Sequence, residues 1–321
     1  MLVDGKWSRN WDPVQKADEK GRFVRQVSTF RNWVTPDGAP GPTGEGGFKA
    51  EAGRYRLYVA FICPWASRTL IARSLKGLTE VIPVTVVNPV LDDEGWSFGG
   101  YPGADEDPLF GVRHIHELYT RADPHVSGRA TVPVLWDEKT GTIVNNESAD
   151  ILRMLDTAFE GIVPSDLRLY PADLAAEIDA LNPRIYDLLN NGVYKAGFAS
   201  TQEAYDEANA GVFAMLDELE AMLTGDFLFG DRLTETDIRT FVTLIRFDAA
   251  YHGLFKTNRR QIADYPRLQA YMERIYRLPG VAGTVNMDHI TRGYYSIKAL
   301  NPKRIRPEGP GHILKLLETA A

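Results

Sequence analysis

In the run YVAFICPWASRTL, residues 58 to 70, Cys63 is the one cysteine of a 321-residue chain. A thiolate attacks disulfide and thioether sulfur, and its local setting decides whether it forms. Cys63 follows an apolar run and precedes Pro64, a residue favoured at the first position of a helix because its missing N–H is not needed there. Cys63 is thereby predicted at a helix N-cap, where unpaired amides and aligned peptide dipoles favour negative charge. Cysteines in such places have pKa values lowered to about 3.5–7.5. Position alone leaves two readings open, a nucleophile or a packing residue, since free cysteine is among the most often buried residue types. Three residues on stands Ala66, not a second cysteine. A mixed disulfide formed here therefore has to be opened by an external thiol.

Other residues have the chemistry of a binding site. NNES, 145 to 148, places Glu147 and Ser148 at the start of a predicted helix. Free amides and a hydroxyl there can receive a carboxylate, and the acid can receive an amine; equally, Ser148 can be an ordinary N-cap. Pro133 follows Val132 at the head of a predicted strand, and since only about 5–6% of X–Pro bonds are cis, the pair reads as trans. His114 and His116 lie two apart, on different faces of a helix. No His/Cys/Asp cluster has metal-ligand spacing, so no metal is expected. Phosphate-cradling glycine motifs and a Gly-x-Ser-x-Gly elbow are missing from the sequence.

The elements that must position these groups are legible. RYRLYVAF, from Arg54, reads as a strand buried at least partly on both faces, PWASRTLIARSLKGL as a helix stopping near Gly77, and EVIPVTVV (80 to 87) as a second strand. Pro83 gives that strand an edge position or an early break. A long acidic, glycine-rich loop and a short helix near HIHELYTRAD follow, then the hairpin TVPVLWD–EKTG–TIVNN and a helix from ESADILRMLDTAF. A strand–helix–strand crossover implies a parallel pair, and the hairpin completes a mixed four-stranded sheet, the topology of a thioredoxin-like domain. PSDLRLYP, 164 to 171, reads as a linker to an all-helical region. Its best local signal is LTETDIRTF, where Thr234 and Asp237 make a capping box with Leu233 and Ile238 as the staple. The expected division is a Gly/Pro-rich arm over 1–52, with Trp7, Trp11 and Trp33 as anchors, a thioredoxin-like domain over 53–162, a helical domain over 172–300 and a tail over 301–321.

Composition excludes several classes. The net charge of −7 argues against a nucleic-acid binder, which needs a concentrated basic surface; PKRIRP, 302 to 307, reads as a solvated tail segment. One cysteine makes no internal disulfide. The N-terminus lacks the pattern of a signal peptide, and no apolar run approaches the ~20 residues of a membrane span. The expected location is the cytoplasm, where glutathione is the abundant thiol.

FICPWASRT, GRATVPVLWD, IVNNESADILRML, LTETDIRTF and HITRGYYSI together resemble the glutathionyl-hydroquinone reductases, the Xi class of glutathione transferases. The likeness runs over almost the whole chain. It implies a thioredoxin-like domain followed by a helical one, a homodimer, glutathione as co-substrate, and Cys63 as the nucleophile. It assigns Glu147 and Ser148 to the γ-glutamyl end of glutathione and makes Pro133 cis, so that the Val132 backbone pairs with the cysteinyl part. Arg129 becomes a partner for a glutathione carboxylate, and Trp96 packs over the tripeptide. Among 14 tyrosines it singles out Tyr194 and Tyr295, with Tyr294 as the alternative to its neighbour, as residues against the hydroquinone ring and catalytic proton donors. The implied reaction is glutathione-dependent reduction of glutathionyl-hydroquinones. Two rivals stand beside it, a general thioltransferase or dehydroascorbate reductase, and a non-catalytic glutathione-fold binding module.

Overall fold

A computed structural model describes residues 1–8 and 17–318, so Trp11 lies outside the described residues. The chain divides into two compact units, the first containing residues 1–8 and 26–167, the second 17–25 and 168–318.

The first unit opens with a hairpin, β1 (Leu2–Val3) and β2 (Lys6–Trp7). Its turn puts Asp4 at φ 48° and Gly5 at φ 70°, and a Cβ on Gly5 would collide with the Pro124 carbonyl oxygen. Then come β3 (Tyr55–Val59), α1 (Pro64–Leu75), β4 (Val84–Val86), α2 (Ile115–Ala122), β5 (Val134–Asp137), β6 (Thr142–Asn145) and α3 (Ser148–Thr157). The sheet order is β4-β3-β5-β6, with β3/β4 parallel and the other two pairs antiparallel. This is the expected thioredoxin-like topology. β4 starts after Pro83 and lies at the edge, where a missing N–H does least harm. β3 is central, which explains its unbroken apolar run: Tyr55, Leu57, Tyr58 and Val59 are fully enclosed. The two phenols reach polar partners at its rims, Tyr55 donating to the Lys49 carbonyl at 2.6 Å and Tyr58 to Asp107 at 2.9 Å. Gly77 ends α1 at φ 68°, the left-handed conformation a helix stop favours.

A buried ion pair ties the preceding loop to the sheet. Arg54 donates to both carboxylate oxygens of Asp137, at 2.9 and 2.6 Å, and also to Glu51 and the Gly47 carbonyl. Burial alone raises the Asp137 pKa, but hydrogen bonds from Arg54 and Thr140 hold it below 3.8. Trp33, an expected anchor, donates its indole N–H to Thr43.

The second unit is helical: α4 (Ala175–Ile185), a π-helical turn Tyr186–Asn190, α5 (Gly192–Gly197), α6 (Gln202–Met222), α7 (Glu235–Arg246), a π-helical turn Phe247–Tyr251, α8 (His252–Leu254), α9 (Pro266–Tyr276), α10 (Met287–Tyr295) and α11 (Gly311–Glu318). Every residue of α7 is buried. Its polar groups are accordingly paired: Asp237 accepts from the Thr234 amide and hydroxyl, the Leu228 amide and the Tyr271 phenol. The Thr234–Asp237 capping box is as the sequence predicts. α11 falls inside the stretch read as a tail; Ile313 and Leu316 bury one face, and His312 meets Asp248 at 2.8 Å. No described helix is long and apolar enough to cross a membrane.

Candidate active site

In the first unit Cys63 is the N-cap of α1, in extended conformation, with Pro64 as the first helical residue. The chain leaves β3 at Val59, the Cys63 amide donates to the Ala60 carbonyl, and the helix starts at once. The thiol is half-buried, and its sulfur lies 3.4 Å from the Val132 carbonyl oxygen, an S–H donor contact. The Val132–Pro133 peptide is cis. The general preference for trans fails here, and the geometry agrees with the resemblance. α1 packs against α3, and the buried Arg68, one turn beyond Cys63, reaches the Ser148 hydroxyl at 3.5 Å.

The cap of α3 is Glu147, not Ser148. A Glu147 carboxylate oxygen accepts from the Ala149 amide at 3.1 Å; the other accepts from the Ser28 hydroxyl at 3.0 Å. Ser148 is instead the first helical residue, buried. Two residues further in, Asp150 accepts two bonds from Arg31, at 2.5 and 3.0 Å, which raise the Arg31 pKa. The paired asparagines before Glu147 are structural. Asn145 accepts from the Glu147 amide and donates to Asp150, while Asn146 donates to the Tyr119 phenol at 2.9 Å. That phenol donates to the Thr131 carbonyl, so the end of β6 and the segment entering Pro133 are held in mutual register. Arg31, Arg68, Tyr119 and Asp150 carry no local sequence signal, because Arg31 meets Asp150, Arg68 meets Ser148 and Tyr119 meets Asn146 only through the fold.

Arg129 is half-buried, its amide donating to Gln26. Trp96 is half-buried, and its carbonyl accepts from the Ile115 amide at 2.9 Å. His114 departs from the sequence reading. It is the extended N-cap of α2 rather than a helical residue, so its ring swings alongside His116, with centroids 5.3 Å apart and planes 12° from parallel. The helical period starts at Ile115, one residue after His114.

In the second unit three tyrosines form a chain of hydroxyls. Tyr194 and Tyr294 are 2.6 Å apart, and Tyr294 and Tyr251 2.8 Å. Burial pushes the pKa values of Tyr294 and Tyr251 well above 10, so both stay protonated and able to donate. Phe23, Phe198 and Phe255 pack around Tyr194, and the Arg25 guanidinium lies 4.9 Å from its ring centre. Tyr295 is half-buried, with burial raising its pKa, and lies beside Gly253. Tyr251, which joins the chain, carries no local sequence signal.

A thioredoxin-like sheet with a cysteine opening its first helix, followed in sequence by an all-helical unit, defines a glutathione transferase. Comparison with known proteins agrees. A family model for the glutathione S-transferase N-terminal domain matches residues 62–158, and one for the C-terminal domain matches 202–274. The chain is 52% identical over 313 residues to glutathionyl-hydroquinone reductase YqjG of Escherichia coli K12, covering 97% of this chain and 95% of that one. The glutathione-bound structure of YqjG superposes with a TM-score of 0.89 over the same shares of the two chains, at 50% identity. Glutathionyl-hydroquinone reductase PcpF of Sphingobium chlorophenolicum is 47% identical over 320 residues, 98% of this chain and 97% of that one. A glutathione S-transferase Xi from Phanerochaete chrysosporium, 47% identical, superposes with a TM-score of 0.88 over 94% of this chain and 98% of its own. The chain belongs to the glutathionyl-hydroquinone reductase family, the Xi class of the glutathione transferases.

Proposed function

We propose that this protein reduces glutathionyl-hydroquinones to hydroquinones at the expense of glutathione. The observation that carries this reading is Cys63 at the N-terminus of α1, its sulfur 3.4 Å from the carbonyl that precedes a cis proline, in a chain 52% identical to a reductase of that name. The Cys63 sulfur attacks the glutathione sulfur of the substrate. The S–S bond forms as the S–C bond breaks, and the ring carbon keeps the electron pair and takes a proton. A second glutathione thiolate then attacks the mixed disulfide, releasing oxidised glutathione and restoring Cys63. Two sulfurs are oxidised and one ring carbon is reduced.

The tripeptide's γ-glutamyl end falls to Glu147 and Ser148, a glutathione carboxylate to Arg129, the cysteinyl backbone to Val132 beside Pro133, and an overlying contact to Trp96. The Val132 carbonyl, 3.4 Å from the Cys63 sulfur, accepts from the glutathione amide. Tyr194 with Tyr294 or Tyr295 supplies the proton; the hydroxyl chain favours Tyr294, since its phenol is the one bonded to Tyr194. The protein acts as a cytoplasmic homodimer.

The test is turnover by the Cys63→Ala protein. Loss of hydroquinone formation with glutathione binding retained is expected; near-normal rates would exclude the mechanism. Turnover on hydroxyethyl disulfide or dehydroascorbate exceeding that on a glutathionyl-hydroquinone would favour the general thioltransferase instead.

A further inference from the structure

The loop between β4 and α2 gathers ligating side chains at the start of α2. Asp92 and Gly95 close a tight turn by exchanging backbone hydrogen bonds, at 3.1 and 3.2 Å, and Glu94 stands on it. The next residues run antiparallel to the start of α2: Ser97 bridges His114, and the Ile115 amide donates to Trp96. This backbone ladder brings one ligand atom each from Glu94, His114 and His116 within 4.8 Å of one another.

The finer distances suit a small cation. Glu94 Oε2 lies 3.4 Å from His116 Nε2 and 3.8 Å from His114 Nδ1. In a tetrahedral zinc site with bonds of about 2.0–2.1 Å, ligand atoms stand roughly 3.3–3.5 Å apart. The other nitrogen of His114, Nε2, meets Asp92 Oδ2 at 3.0 Å. A carboxylate accepting there puts the proton on Nε2 and leaves the lone pair on Nδ1, beside the Glu117 amide at the start of α2 and with Glu94 Oε2 at 3.8 Å; a carboxylate on the far nitrogen orients metal-bound histidines in this way. Among the described residues His116 Nε2 is enclosed, with the Glu94 carboxylate at 3.4 Å as its polar neighbour. The Trp7 indole stacks on its ring at 4.5 Å and donates to the Asp93 carbonyl, so the N-terminal hairpin covers the cluster. His116 also lines an open surface recess of about 450 Å³ with Trp7 and Thr120, which offers an entry path.

We propose that Glu94, His114 and His116 bind one divalent transition-metal ion, zinc by the chemistry of two imidazoles and a carboxylate, with Asp92 as the positioning residue for His114. The ion fastens the 92–97 turn to the start of α2. The sequence expectation of no metal rests on the spacing of His, Cys and Asp along the chain, whereas Glu94 joins the two histidines only through the fold.

The test uses the full chain carrying Cys63→Ser, which removes its one thiol, a group that would compete for zinc. After stripping with chelator, the protein is titrated calorimetrically with zinc ion alone, and with cobalt(II) for its visible absorption. One equivalent is expected. Glu94→Ala and His116→Asn are each expected to weaken binding by at least about tenfold, and Asp92→Asn by about tenfold. Glu94 is exposed, so its replacement leaves folding intact and keeps the test open if a histidine variant fails to fold. Absence of stoichiometric binding, or binding unchanged by Glu94→Ala, would overturn the proposal.

Discussion

At the residue scale, Cys63 acts through its position. Pro64 sets the helix start in the sequence, and the structure puts the thiol there. Glu147 and Ser148 were equally visible as helix-start residues, but which of them caps was not. That outcome depends on Ser28, over a hundred residues earlier, which shares the Glu147 carboxylate. For the phenols, Tyr194→Phe and Tyr294→Phe are each expected to lower kcat by roughly 10²-fold, the usual contribution of a positioned proton donor, while KM for glutathione stays unchanged. Steady-state kinetics with both substrates varied would check this. Glu147→Ala has the opposite signature, a KM for the glutathionyl-hydroquinone raised about tenfold or more through a lost charged hydrogen bond, with kcat less affected.

At the element scale, the sheet, the crossover helix and the hairpin were legible because each strand or helix carries its own period and its own punctuation: Pro83, Gly77, the EKTG turn. The capping box of α7 was legible for the same reason, since Thr234 and Asp237 are three residues apart. Less visible was how much that carboxylate holds together. Asp237 is fully buried and also accepts from Leu228 and Tyr271. Asp237→Ala orphans several buried donors at once, so a loss of about 3 kcal/mol or more in urea unfolding is expected, against about 1 kcal/mol for an ordinary cap. His114 fell out of the sequence reading because a helical period does not apply to an N-cap in extended conformation. α11 carries little sequence signal because its apolar stripe, Ile313 and Leu316, is short and follows a proline- and glycine-rich stretch.

For the whole molecule, buried charge pairs set the response to acid. The Arg54–Asp137 pair is almost fully enclosed, and the folded-state pKa of Asp137 is depressed. A depressed carboxylate adds stability that is present above its unfolded pKa and is lost as pH falls through the folded value, so the loss falls below about pH 4. Arg54→Met leaves an uncompensated buried carboxylate and is expected to cost about 3–5 kcal/mol at pH 7. Without its cation Asp137 takes up a proton more readily, so the gap between variant and wild type narrows as the pH is lowered from 7 to 4. Denaturant melts across that range would show it; a gap that widened on acidification would assign the stabilisation elsewhere.

The claim on which the function rests is that Cys63 itself takes the glutathionyl group. Mixing the enzyme with excess glutathionyl-hydroquinone in the absence of free glutathione, then recording the intact mass and the hydroquinone released, tests it directly. The expected result is one hydroquinone per chain and one glutathionyl adduct on Cys63, cleared by added glutathione with formation of its disulfide. Continued hydroquinone release with no adduct on Cys63 would contradict it.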